Sequence, residues 1–271
     1  MVKAVVIGAA GRMGQMILRA MVEREDIVCI GGVERKDHPF IGEDLGEILG
    51  MGKLGAYLWD SLDPIVEDAQ VLIEFTSPEA TLSHLEIASS FKKPMVIGTT
   101  GFSQEQLERI KELTKNIPCV LSPNMSLGVN VLFKLVELVA KVLGKGYDIE
   151  ILEFHHRLKR DAPSGTALKL GQKIADVLGI NLEEKAVFGR KGLTGPRSGG
   201  EIGILSLRGG DVIGEHTVIF ATEGERLELT HKASSRMTFA QGAIRAALWV
   251  VGKPPGLYDM EEVLGLKTPL F

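Results

Sequence analysis

Apolar positions in the first half of the chain follow two alternating periods. Short β-branched runs at Lys3–Ile7, Ile27–Val33, Gln70–Thr76, Pro94–Gly98 and Pro118–Ser122 read as buried strands. Between them apolar residues recur at helical spacing, as Met13, Met16, Ile17, Ala20 and Met21 do. Helices are expected over Pro78–Ser90 and Ser103–Lys115, with Ser77 and Ser103 as N-caps whose hydroxyls can accept from the first free N–H groups. Wholly apolar strands alternating with helices predict a doubly wound parallel sheet covered on both faces.

After Asn124 the rhythm changes. A helix over Gly128–Leu143 carries Val129, Leu132, Phe133, Val136 and Ala140 on one stripe, with Gly144 at its end. A strand at Asp148–His155 and a helix at Thr166–Leu178, closed by Gly179, come next. Three strands then follow near Glu201–Leu207, Asp211–Thr222 and Arg226–His231, and Gly209-Gly210 reads as a hairpin turn between the first two. Strands in succession predict a second, α+β domain with a mixed or antiparallel sheet. A last helix at Thr238–Val250 can pack back on the first half. The expected division is residues 1–125 plus 237–271 as one domain and 126–236 as the other.

Composition narrows the class. Of 271 residues 45% are hydrophobic and 24% charged, the balance of an ordinary soluble protein. Net charge is −4, so neither nucleic acid nor an anionic membrane is an expected partner, and any basic site must be local. The apolar run Ala4–Ala10 is at the lower limit for a signal peptide, and Arg12 interrupts it. Cys29 and Cys119, each within an apolar strand, fit reduced thiols better than a disulfide framework. The expectation is a cytoplasmic protein.

Val5-Val6-Ile7 runs directly into Gly8, Ala9, Ala10, Gly11, Arg12, Met13 and Gly14, then a helix. Such a strand–glycine–helix turn lets backbone approach a pyrophosphate at a helix N-terminus, although the same glycines would serve a plain turn. Glu34, twenty residues beyond Gly14 at the end of the second strand, can accept from adenosine ribose hydroxyls. Arg35 and Arg12 can pair with a 2′-phosphate, so a Rossmann-type site for NADH and NADPH is expected. Gly98-Thr99-Thr100 and Ser122-Pro123-Asn124-Met125 end two further strands, where ligands of open parallel sheets bind.

The stretch EFHHRLKRDAPSGTA, from Glu153 to Ala167, concentrates cationic side chains in an acidic chain. Metal is not expected, because the other histidines show no ligand spacing. A solvated basic loop is one reading. The other is an anion site: the cluster precedes Ser164, Gly165 and Thr166, a helix start whose N–H groups suit a carboxylate, while histidine titrates near neutrality and lysine can donate a proton.

The strings GAAGRMG, GTTGF, PNMSLGVN, HHRLKRDAPSGTA, RGGDVIGEHT and HKASSRMTFA, with Glu34-Arg35, resemble those of the 4-hydroxy-tetrahydrodipicolinate (dihydrodipicolinate) reductase family essentially end to end. The resemblance implies an oxidoreductase of lysine biosynthesis by the diaminopimelate pathway, reducing a cyclic unsaturated imine to tetrahydrodipicolinate. It implies that His155 is the catalytic acid/base and Lys159 its partner proton donor. His156, Gly165 and Thr166 would bind the substrate's carboxylates. Gly8–Met13, Glu34, Arg35, Gly98–Thr100 and Ser122–Met125 would hold the cofactor. A homotetramer built through the second domain's sheet is also implied. Leu158 departs from the histidine often found there, and Ser122-Pro123 replaces two alanines of some members. Another two-domain NAD(P)-dependent dehydrogenase, acting on an amino acid or aldehyde, would explain the glycine loop and Glu34 but not the basic cluster.

Overall fold

The computed structural model describes residues 1–267. From the amino end the chain runs through β1 (Val2–Ile7), α1 (Arg12–Val22), β2 (Ile27–Val33), α2 (Leu45–Ile48), β3 (Tyr57–Trp59), β4 (Val71–Glu74) and α3 (Pro78–Ser90). It continues through β5 (Met95–Ile97), α4 (Gln104–Leu113), β6 (Pro118–Leu121), α5 (Leu127–Leu143), β7 (Asp148–His155) and α6 (Gly165–Leu178). The remainder comprises α7 (Leu182–Lys185), β8 (Ala186–Val187), β9 (Ile202–Arg208), β10 (Gly214–Thr222), β11 (Glu225–Ala233), α8 (Met237–Val250), β12 (Gly256–Tyr258) and α9 (Met260–Val263). Contacts divide it into two units, residues 1–127 with 236 onward, and Gly128–Ser235. Residues 268–271 of the expected first domain lie outside the described residues.

The first unit is a seven-stranded parallel sheet in the order β12-β6-β5-β4-β1-β2-β3. Alternation along β1 shows why its strand is apolar throughout. Ala4 and Val6 point into a layer with Ile17 and Met21 of α1 and Ala243, Ile244 and Ala247 of α8. Val5 and Ile7 point the other way, against Leu85 of α3 and Ile110 of α4. Ser77 and Ser103 do cap α3 and α4, and the Ser103 N–H in turn donates to the Gln106 side-chain oxygen. Small residues let α8 lie close to its neighbours: a Cβ on Gly242 would sit 1.8 Å from the Met125 carbonyl oxygen. Cys29 and Cys119 are free thiols, and burial pushes that of Cys29 up to about 12. Among the described residues no helix is long and apolar enough to cross a membrane.

The second unit is a five-stranded mixed sheet, β11-β10-β7-β9-β8, with α5 and α6 on one face. Phe133 and Val136 of α5 and Leu170 and Ile174 of α6 pack on Ile149, Ile151, Ile204, Val218 and Phe220. The opposite face of the sheet, with Leu152, Leu205, Leu207 and Ile219, is only half-buried or exposed. Ser164 caps α6 by accepting from the Ala167 N–H, and Gly179 ends it in the left-handed region at φ 64°.

One expected turn is corrected. Gly209-Gly210 does not join paired strands, because β7 lies between β9 and β10. β9 runs parallel to β7, so the chain must cross over; Gly209 donates to the His155 carbonyl and Arg157 to that of Gly210. The hairpin joins β10 to β11 instead, with Gly224 at φ 86° in its turn. The short elements α2, β3, α7, β8, α9 and β12 were not legible: two to four residues show no period, and none of these strands is a continuous buried apolar run as β4, β5 and β6 are.

Candidate active site

Parallel register brings five strand ends to one edge of the first unit. Ile7 pairs with Val33 and Glu74, Glu74 with Ile97, and Ile97 with Leu121. The residues that follow these ends, Gly8, Glu34, Phe75, Gly98 and Ser122, therefore lie in a row. At that row opens a cavity of about 630 Å³, lined by Ile7, Glu34, Arg35, Lys36, Thr76 and His84 among others. The glycine turn fits a close-lying phosphate. Gly8 has φ 79° with the Phe75 carbonyl 2.6 Å from where a Cβ would be, and a Cβ on Gly14 would be 2.2 Å from the Gly8 carbonyl. No side chain caps α1 at Gly11, which leaves its first N–H groups for a ligand. Gln15 steadies the turn by donating to the Ala10 carbonyl at 2.9 Å.

Behind Thr76 and His84, which line this cavity, lies a buried carboxylate that sequence reasoning missed. Glu74 is fully buried and accepts from the Thr76 hydroxyl and from His84 Nδ1 at 2.8 Å. That bond places a proton on His84 Nδ1. Thr76 N–H donates to the Thr99 hydroxyl at 3.1 Å, and the Thr81 hydroxyl bonds it at 2.9 Å. The Thr99 side chain is thus engaged inside the fold. Ser122 and Asn124 form a closed turn, through Ser122 Oγ to the Asn124 carbonyl at 2.9 Å and Ser126 N–H to Asn124 Oδ1 at 2.9 Å. Met125 is buried in the core, and Pro123 and Thr100 are exposed.

In the second unit a polar cluster forms around Glu153, which is fully buried on β7. Strand register sets its neighbours: Glu153 lies between Ser206 on β9 and His216 on β10, and His155 lies opposite Arg208. Glu153 Oε2 accepts from His155 Nδ1 at 2.5 Å and from Arg208 at 2.8 Å. Oε1 accepts from the other Arg208 nitrogen at 2.8 Å and from the Ser164 N–H at 3.1 Å. Burial would raise this carboxyl, but Arg208, Ser206 and His155 outweigh it and hold Glu153 at about 2. Burial pulls the His155 imidazole below the usual histidine range; Glu153 opposes this, while Lys159 and Arg208 add to it. His155 is therefore neutral at pH 7, with its proton on Nδ1 and its lone pair on Nε2. A Cβ on Gly214 would come 3.0 Å from that Nε2, so the bare Gly214 backbone makes room for the ring.

His216 is buried, crosses the His155 ring edge-on at 5.1 Å between centroids, and bonds Ser164 Oγ at 3.1 Å. Burial and the neighbouring His155 lower it to about 3. Lys159 pairs with Asp161 at 2.9 Å on the turn beyond β7, and this bond lowers the Asp161 carboxyl. Gly165 and Thr166 form the first turn of α6, while His156 and Lys159 are partly exposed. The structure thus joins His155, Ser164 and the start of α6 through one carboxylate. Arg208 and His216 were not singled out in the sequence; the signal that contains both is the string RGGDVIGEHT.

Comparison with known proteins identifies the family. Residues 2–125 match the family model described as Dihydrodipicolinate reductase, N-terminus, and residues 128–264 the one described as Dihydrodipicolinate reductase, C-terminus. A protein of Syntrophus aciditrophicus (strain SB) named 4-hydroxy-tetrahydrodipicolinate reductase is 54% identical over 268 residues, covering 99% of this chain and 100% of that one. One of the same name from Syntrophobacter fumaroxidans (strain DSM 10017 / MPOB) is 53% identical over 98% of this chain and 100% of its own. The solved structure of a dipicolinate-bound dihydrodipicolinate reductase from Paenisporosarcina sp. TG-14 has a TM-score of 0.76 at 26% identity, covering 97% of this chain and 98% of that one. An amine dehydrogenase from Mycobacterium smegmatis, with a TM-score of 0.60 at 14% identity over 96% of this chain and 95% of its own, shares the fold alone. Both halves match in order, and the relatives extend over nearly every residue: the chain belongs to the dihydrodipicolinate reductase family.

Proposed function

We propose that the chain reduces the cyclic unsaturated imine derived from 4-hydroxy-tetrahydrodipicolinate to tetrahydrodipicolinate, in the diaminopimelate route to lysine, with NADH or NADPH as reductant. The observation that carries this reading is the His155–Glu153 pair beside the Ser164-capped start of α6. It combines an oriented proton-transfer group with an anion site, which a dicarboxylate substrate requires.

The nicotinamide dinucleotide is held by the turn Gly8–Met13 and by Glu34 and Arg35. Gly98–Thr100 and Ser122–Met125 shape the same edge. Glu34 and Arg35 both line the cavity, which supports use of either the ribose hydroxyl or the 2′-phosphate, and Lys36 adds a second cation there. When bound, the reduced nicotinamide supplies hydride to the substrate ring carbon conjugated with the imine. His156, Gly165 and Thr166 hold the carboxylates, Lys159 polarises the imine nitrogen, and His155 passes the proton through Nε2. An approaching dianion raises the imidazole's proton affinity, so substrate binding itself loads the acid. The open face of the second sheet supports assembly as a homotetramer, and the ordinary composition supports a cytoplasmic location.

The test supplies pyruvate, aspartate semialdehyde and the upstream synthase, then follows oxidation of NADH and of NADPH. Synthase-dependent turnover is expected with both. His155→Gln and Lys159→Ala should each lose more than about tenfold in kcat with NADH binding unchanged. Absence of turnover with either cofactor refutes the reading and leaves an amino-acid or aldehyde dehydrogenase; near-normal rates in a mutant remove that residue from the mechanism.

A further inference from the structure

Arg208 makes more bonds than a salt bridge needs. Its two terminal nitrogens span both oxygens of Glu153 at 2.8 Å each, and also donate to the carbonyls of Asp161 at 2.7 Å and Leu207 at 2.6 Å. Glu153 is the group that orients His155 through Nδ1 and anchors the N–H of Ser164. Asp161, two residues beyond Lys159, binds its ammonium through the carboxylate. A single planar fork thus touches both the support of the imidazole and the support of the lysine. We propose that Arg208 is a positioning residue for proton transfer, holding the His155 ring and the Lys159 turn in one fixed arrangement. This rests on the roles of His155 and Lys159 given above.

The alternative is that Arg208 merely neutralises a buried carboxylate, and here the chemistry of the side chain decides. Charge balance needs one cation, which a lysine would provide. Meeting the two carboxylate oxygens with two separate nitrogens, while one of them also reaches the Asp161 carbonyl, uses the planar fork of a guanidinium, which a point-like ammonium lacks. Arg208 also contributes to the field at His155, together with Glu153 on β7, Lys159 on the following turn and His216 on β10. Removing its charge while Glu153 stays ionised therefore moves the imidazole's titration upward.

Two variants separate geometry from charge. Arg208→Lys keeps the charge and loses the fork; kcat should fall roughly 10- to 100-fold, because misplacing a reacting group by about an ångström costs on that order. Arg208→Gln loses both; kcat should fall at least as far, and the His155 titration, followed by NMR of the imidazole, should move to higher pH. NADH binding should stay at the wild-type value in both. Wild-type kcat, within twofold, in Arg208→Lys or an unmoved His155 titration in Arg208→Gln overturns the proposal. If Arg208→Gln does not fold, the kcat of Arg208→Lys decides alone. The NMR titration does not depend on turnover, so a wild type inactive on the proposed substrate refutes the reductase reading while the titration still judges Arg208.

Discussion

His216 shows what burial does to a titratable side chain even when a carboxylate, Glu153, lies opposite it on the neighbouring strand and pulls the other way. Its proton affinity in the fold is lowered to about 3, against 6.5 for the free side chain. The unfolded chain therefore binds a proton that the folded one refuses. This contribution to stability is complete above pH 6.5 and is lost as pH falls toward 3. At pH 5 the loss is about 2 kcal/mol. His155 and His231 are shifted the same way, and burial leads for both. Glu153, held at about 2 from an ordinary 4.5, adds a second loss at lower pH, between those two values. Urea unfolding at pH 7.5 and pH 5 should thus show a marked drop, and His216→Gln should flatten it. An equal drop in the variant would mean that His216 is not the group responsible. The tautomer of His155 follows the same logic in reverse: an ionised Glu153 cannot donate, so the ring must.

Among the elements, α8 illustrates how a helix late in the chain completes an early sheet. Ala240, Ala243, Ala246 and Ala247 are buried along one side, and Gly242 lies against the Met125 carbonyl. A methyl at Gly242 would overlap that carbonyl at 1.8 Å, and backbone cannot swing aside as a side chain would. Gly242→Ala should cost about 1–3 kcal/mol despite its better helix propensity, read as a lower urea midpoint. A stabilised variant would show that the loop after β6 yields to α8. Long elements such as α5 and α6 were legible because three or four turns repeat one apolar stripe. The capping serines and Gly179 were legible because hydroxyl and glycine chemistry act locally. Strand partners were not: Gly209-Gly210 carries a turn signal whether the next strand pairs beside it or crosses over, and only the packed sheet distinguishes the two.

For the whole molecule, the open face of the second sheet has a testable consequence. Leu152 and Leu205 are cross-strand neighbours on the side away from α5 and α6, with Thr217 beside them. Apolar side chains left half-buried or exposed on a sheet face are what a homotetramer would cover. Leu205→Glu should therefore reduce the mass in solution, measured by light scattering, with the secondary structure kept. A wild type that is already monomeric, or a variant of unchanged mass, excludes assembly through this face. The order of the longer strands and helices, the glycine turn, the acid at Glu34 and the basic string from His155 to Lys159 were all determined by the sequence, because each depends on residues near one another along the chain. Only tertiary structure decided that Arg208 and His216, more than fifty residues beyond His155, complete its surroundings. The same holds for His84, which lines the cavity at the strand ends, and for the buried Glu74 behind it. Their partners are set by sheet register and helix packing, which bring together groups that no local pattern relates.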